Sequence, residues 1–252
     1  MENKIALITG ATSGIGRACA IALAHAGYDI IACGRREERL VELMAALPKA
    51  TKYIYLVFDV SKKDEVRAAF DSLDSKWQNI DILVNNAGNA HGLSPVQSGD
   101  TDDWDAMMDI NVKGLLYVSK QVMPHMIARK SGQIINIGSI AGKEVYPNGN
   151  VYCASKHAVD ALSKGMRIDL NPFGIKVIGI HPGLVDTEFS VVRFKGDEER
   201  AASVYKGFEP LHAEDIAAIV VFAATRPPHV VMADVVILPT AQATSTVVNK
   251  HT

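Results

Sequence analysis

The chain has 252 residues, 48% of them apolar and 21% charged, ordinary globular usage that excludes a disordered or fibrous protein. Lys plus Arg number 26 against 28 Asp plus Glu, and the net charge of −2 gives no general attraction to nucleic acid or to an anionic membrane. One core can serve a chain of this length.

The N-terminus, Met1-Glu2-Asn3-Lys4, runs straight into an apolar segment, so no secretory signal is expected. Strands are then expected at Ala6–Thr9, Asp29–Cys33, Ile54–Phe58, Ile82–Asn85, Gln133–Ile137, Lys176–Ile180 and Val235–Leu238. Most are apolar throughout rather than alternating, as in strands covered on both faces. Between them lie amphipathic stretches at Gly16–Ala26, Glu37–Ala46, Lys63–Ser75, Trp104–Ala128, Val151–Leu170 and Ala213–Ala224. This rhythm predicts an α/β fold: a single-domain, Rossmann-like, doubly wound parallel sheet with helices on both faces, spanning 1–252. The most apolar late run, Ile216 to Thr225, is about 10 residues and too short to span a bilayer. Cys19, Cys33 and Cys153 show no CxxC spacing and read as reduced packing residues, which suits a cytoplasmic protein. One connection breaks the rhythm: Asp186 to Pro210 is polar and mixed. A connection that long reads as a mobile substrate flap, the alternative being an exposed helical insertion.

The first strand ends in Thr9-Gly10-Ala11-Thr12-Ser13-Gly14-Ile15-Gly16, directly before a helix. Glycines let a pyrophosphate approach the backbone, and the helix N-terminus offers free N–H groups to the anion. An enzyme that reads an unphosphorylated ribose carries an acid after the second strand; here Cys33-Gly34-Arg35-Arg36 stands there instead. Two guanidinium groups suit a 2′-phosphate, so NADP(H) is the expected cofactor. Asp59-Val60 is placed at the adenine edge, with a helix cap as the other reading of Asp59.

Tyr152 and Lys156 stand one helical turn apart, and Ser139 ends the fifth strand run at the carboxyl edge of the sheet. A neighbouring ammonium is expected to lower the phenol toward neutrality, fitting Tyr152 for acid–base work, while Ser139 holds the substrate oxygen. The eight histidines show no pair at i, i+4 and no acid in ligand spacing, so no metal is expected.

Thr9-Gly10-x-x-x-Gly14-Ile15-Gly16, Asn85-Asn86-Ala87-Gly88, Asn111, Ser139, Tyr152-x-x-x-Lys156 and Pro182-Gly183, in that order, resemble the motif set of the short-chain dehydrogenase/reductase family over nearly the whole chain. The resemblance implies that Tyr152 is the acid–base and that Lys156 also binds the nicotinamide ribose. It implies that Asn111 holds a relay water, that Asn86 with Ala87 and Gly88 meets the cofactor, and that Pro182, Gly183, Val185 and Thr187 border the nicotinamide. It also implies a homotetramer built through the helices at 104–128 and 151–170. Trp104, the run Ile134–Ser139, Asn150-Val151-Tyr152, Thr187–Asp197, Pro227-Pro228-His229-Val230 and Leu238-Pro239-Thr240-Ala241-Gln242 are similar to the family's NADP-dependent 3-hydroxy acid dehydrogenases, also called serine or L-allo-threonine dehydrogenases. A short hydroxy acid needs a cation for its carboxylate, and Arg193, beside Lys195, is the candidate clamp. The competing readings are another carbonyl substrate (a 3-oxoacyl thioester, a steroid or a sugar) and a non-catalytic NADP-binding sensor.

Overall fold

Because the expected strands are apolar on both sides, each must pack helices above and below. The computed structural model describes residues 3–251 and shows this arrangement; Met1, Glu2 and Thr252, the ends of the expected domain, lie outside the described residues. Strands β1 (Ile5–Thr9), β2 (Asp29–Gly34), β3 (Tyr53–Val57), β4 (Ile80–Asn85), β5 (Gly132–Ile137), β6 (Ile175–Pro182) and β7 (Asp234–Ile237) form one parallel sheet in the order β3-β2-β1-β4-β5-β6-β7. The order reverses between β1 and β4, which opens a crevice at their carboxyl ends, where such sheets take ligands.

Successive residues of each strand face opposite layers. Ile8, Ile30, Ala32 and Val84 pack under α1 (Gly14–His25), α2 (Glu37–Ala45) and α9 (Ala213–Ala224). Leu7, Ile31, Leu83 and Ile134 pack under α3 (Lys63–Asp71), α5 (Leu115–Arg129) and α6 (Asn150–Leu170). Cover on both faces fails only at the sheet edges. Tyr53 and Val57 on β3 and Val236 on β7 are exposed, because an edge strand has a helix-poor flank.

One expectation needs correction, and a second gains detail. The stretch 104–128 is not one helix: α4 (Thr101–Met108) passes through a π-helical segment, Asp109–Gly114, before α5 begins. The extra backbone residue of such a segment escapes any 3.6-residue pattern. The connection 186–210 is helical, with α7 (Phe189–Arg193) and α8 (Glu198–Tyr205), so the alternative reading holds for its structure.

A buried polar network ties the layer of α5 and α6 to the sheet. The Asn85 amide donates to Asn136 Oδ1 and to Ser119 Oγ, both at 2.9 Å, and the Asn136 amide donates to Ser163 Oγ at 2.9 Å. These bonds join β4 and β5 to each other and to α5 and α6, so the helices cannot slide without stranding buried amides.

Candidate active site

The crevice deepens into a cavity of about 560 Å³ at the carboxyl edge of the sheet. Of the expected cofactor and catalytic residues, Gly10, Thr12, Ser13, Gly14, Ile15, Arg35, Arg36, Asp59, Val60, Asn86, Ala87, Gly88, Ser139, Tyr152, Lys156, Pro182, Gly183, Val185, Thr187 and Arg193 all line it. Gly16 and Asn111 do not.

The turn after β1 is shaped by backbone demands. Gly10 has φ +66, and a Cβ on Gly16 would lie 2.3 Å from the Gly10 carbonyl oxygen and 2.4 Å from Asn86 Nδ2. Gly16 therefore lets α1 seat against the turn and supports the cavity from behind rather than lining it. The Asn86 amide donates to Thr9 O at 3.0 Å, and the backbone N–H groups of Asn86 and Ala87 both donate to Thr9 Oγ1 at 3.0 Å. Helix α1 starts with no side-chain cap and no acid in its first turn, so its N-terminal N–H groups face the cavity free for an anion.

At the end of β2, Arg36 donates to Thr12 Oγ1 at 2.8 Å and to Ser13 Oγ at 3.0 Å, which sets its guanidinium at the rim of the turn. Arg35 lies exposed, 3.4 Å from Asp59. Asp59 also accepts from the backbone and hydroxyl of Ser61, while Lys62 occupies the N-cap position of α3, so the helix-cap reading fails. The carboxylate of Glu188 sits on Arg36 and on Arg39, a residue the sequence reading did not single out. An acid group thus already occupies the cationic rim, as a phosphate monoester would.

Tyr152 and Lys156 share one face of α6, with Lys156 Nζ 6.0 Å from the Tyr152 ring centre and donating to Ile137 O at 3.0 Å. Burial raises the Tyr152 phenol well above its ordinary value, Tyr146 raises it further, and the Ser139 hydroxyl and Arg193 guanidinium pull it down. The expected lowering by Lys156 is therefore corrected. Burial also brings the Lys156 amine down to about 8, so it loses its charge in the mildly alkaline range. Ser139 Oγ accepts from Ala141 N at 3.1 Å at the first turn beyond β5. Asn111, buried in the π segment, accepts from Asn89 N at 2.8 Å and donates to Asn89 O at 2.8 Å and to Ser155 Oγ at 3.0 Å. Its carboxamide oxygen and Lys156 Nζ both flank Gly88.

The helical segment after Val185 closes the far wall. Thr187 packs on Gly14, and Phe189 lies 5.7 Å from Tyr152, ring centre to ring centre. Arg193 stands 5.5 Å from the ring centres of both Tyr146 and Tyr152. Its Nε donates to Gly92 O at 3.3 Å, while its Nη2 is buried with no hydrogen-bond partner. Lys195 points elsewhere, to Asp103 at 3.0 Å and Asp100 at 3.7 Å, so it makes a surface ion pair and no clamp.

Sequence reading missed Tyr146, Phe189 and Gln242 as wall residues. Gln242 accepts from Leu184 N at 2.8 Å and braces the Pro182-Gly183 corner; its place at the end of the closing Leu238–Gln242 run was its one signal. Sequence spacing also showed no acid in ligand spacing of a histidine, yet the fold brings His181 within 4.8 Å of Asp160 and Asp234. Lys143 Nζ bridges those two carboxylates at 2.7 and 2.6 Å, so an ammonium already serves them.

A family model for the short chain dehydrogenases matches residues 4–198. An NADP-dependent 3-hydroxy acid dehydrogenase of Salmonella typhi is 44% identical over 94% of this chain and 96% of its own. Sulfoacetaldehyde reductase 2 of Chromohalobacter salexigens is 42% identical over 96% of this chain and 97% of its own. A closed form of serine dehydrogenase complexed with NADP+ superposes with a TM-score of 0.92 at 41% identity, covering 96% of this chain and 98% of that one.

Proposed function

The chain belongs to the short-chain dehydrogenase family, and from that premise we propose an NADP-dependent oxidoreductase acting on the β-hydroxyl or carbonyl of a small 3-hydroxy acid, such as serine, L-allo-threonine or 3-hydroxypropionate. NADP is supported by the paired guanidinium groups of Arg35 and Arg36 and by the absence of an acid at the end of β2. The uncapped start of α1 and the Asn86–Gly88 segment would hold its pyrophosphate and nicotinamide half.

The cofactor supplies or accepts the hydride; the side chains handle geometry and the proton. In the oxidising direction Tyr152 takes the hydroxyl proton while Ser139 Oγ fixes the substrate oxygen. Lys156, close to Gly88 and Asn111, carries the proton onward toward a water held by Asn111. The segment 186–210 acts as the substrate flap. Phe189, Tyr146 and Trp104 wall Tyr152 closely, which favours a short substrate over a long thioester or steroid.

One observation carries the substrate class: the buried, unpartnered Arg193 Nη2 beside Tyr152. A buried guanidinium proton without an acceptor costs stability unless a ligand satisfies it. A molecule that reaches Arg193 and Tyr152 together bears its acid group and its hydroxyl only a few atoms apart. A sulfonate would meet the same fork, which gives the second reading its basis in the sulfoacetaldehyde reductase relative. For the assembly we propose a homotetramer through the helices at 101–129 and 150–170, supported by the exposed apolar Met108 and Ile168. A cytoplasmic setting is supported by three free, buried cysteines.

The test is a substrate panel with NADP and NAD: 3-hydroxypropionate, L-serine, L-allo-threonine, isethionate, 1,3-propanediol and a β-ketoacyl thioester. Arg193→Leu should raise KM for 3-hydroxypropionate about 100-fold while moving that for 1,3-propanediol less than about threefold. Tyr152→Phe should lower kcat by about a thousandfold or more with NADPH binding retained, which separates an enzyme from a sensor. Preference for the thioester removes the 3-hydroxy acid assignment, and preference for isethionate moves it to hydroxysulfonates.

A further inference from the structure

Tyr152 needs a cation if its phenolate is to form near neutrality, and the groups that face it can be taken in turn. From its own helix come Cys153 and Lys156, the latter 6.0 Å from the ring centre and engaged on Ile137 O. From the end of β5 comes the neutral Ser139, and from the loop before α6 comes Tyr146. A second cavity of about 260 Å³, which Tyr152 and Arg193 also line, holds His91, Asp100, Asp103, Lys195 and Arg200, and there the two acids pair with Lys195. From α7 comes Arg193, 5.5 Å from the ring centre. Among the described residues Arg193 has no carboxylate within ion-pair distance, so its charge is not cancelled locally.

We propose that Arg193 is a catalytic residue of the proton-transfer step as well as the substrate clamp: its guanidinium favours the Tyr152 phenolate, and a substrate acid group pairing with it withdraws that support. The inference rests on the reading of Tyr152 as the proton-transfer group. A guanidinium keeps its charge at every accessible pH, whereas burial brings the Lys156 amine down to about 8, so above that pH Arg193 is the cation that remains beside the phenol. Cancelling the Arg193 charge favours the protonated phenol, the form that donates a proton to a carbonyl. An acid-bearing carbonyl would thereby set the state needed for its own reduction.

The experiment follows the low-pH limb of oxidation. In kcat/KM this limb reports the free enzyme, and in kcat the substrate complex. Arg193→Met should move the kcat/KM limb upward by about one pH unit with acid and neutral substrates alike. Arg193→Lys, which keeps a charge there, should leave it near the wild-type position. In the wild type the kcat limb should lie above the kcat/KM limb for 3-hydroxypropionate and coincide with it for 1,3-propanediol. A direct titration of the tyrosinate ultraviolet band, wild type minus Tyr152→Phe, should show the same upward move on Arg193→Met without any turnover. An unmoved limb and an unmoved tyrosinate titration in Arg193→Met overturn the proposal. A wrong substrate class shows separately as equal KM effects on acid and neutral substrates. A wrong role for Tyr152 shows as near-normal turnover in Tyr152→Phe.

Discussion

The two walls of the cavity are built in different ways. The nucleotide wall, from the β1–α1 turn to Asn86–Gly88, is held by backbone hydrogen bonds, by Thr9 and Asn86, and by contacts that only a missing Cβ allows. The wall formed by 186–210 is held by partly exposed side-chain pairs: Glu188 on Arg36 and Arg39, and Lys195 on Asp103. Its inner anchor is Tyr205, which meets Ser190 at 2.6 Å and donates to Val185 O at 2.8 Å. Exposed ion pairs contribute little and are screened by salt, whereas a backbone contact under 3 Å cannot relax without moving two elements. One wall is therefore rigid and generic, and the other is adjustable and specific.

The largest way to break that contrast is Gly16→Ala. The new Cβ would meet Gly10 O and Asn86 Nδ2, so the turn must shift, and we expect a loss of about 2–3 kcal/mol by denaturant midpoint together with weakened NADP binding. At Gly165, in the middle of α6, a methyl would have nothing within 4 Å, and Gly165→Ala should stabilise by up to about 1 kcal/mol. If both changes cost the same, the rigidity assigned to the nucleotide wall is wrong.

A smaller effect sharpens the seam between the walls, where Lys156 sits. Its amine falls from an ordinary 10.5 to about 8 through burial, so the folded state disfavours the charged form. Below about pH 8 both states bind the proton and the cost is fully present; between about 8 and 10.5 only the unfolded chain holds it, so stability rises with pH. Relative to Lys156→Met, the cofactor-free protein should gain about 2 kcal/mol between about pH 7.5 and pH 9.5. A parallel pair of stability curves would show that Lys156 is solvated in the folded chain.

The same contrast explains what was legible in the sequence. Gly10, Gly14, Asn86, Ser139 and the Tyr152–Lys156 pair sit at strand ends and helix starts, where chain order alone fixes position, and the structure collects them around one cavity. The strand set was legible because a strand covered on both faces must be apolar throughout, and only the edge strands depart from that. Tyr146, Gln242 and Arg39 were not legible, because each matters through a partner far away in the chain: Arg193, Leu184 and Glu188. The ionisation of Tyr152 was misjudged for the same reason. Helical spacing gave its distance from Lys156 but not the depth of burial, which acts on both groups more strongly than they act on each other.

The smallest predicted effect lies where the walls touch. Glu188 precedes α7 and occupies the guanidinium groups of Arg36 and Arg39, which hold its carboxyl below the usual carboxylate range. A 2′-phosphate arriving at Arg36 must displace that carboxylate. The pair is partly exposed, at 40% and 46% for the two side chains, so its contribution is small, roughly 0.6 kcal/mol. Glu188→Gln should therefore tighten NADP about threefold and leave NAD unchanged, with the gain fading as salt is raised. Weaker binding of both nucleotides would mean instead that the ion pair holds the flap closed over the cofactor, and the adjustable wall would then stabilise the rigid one.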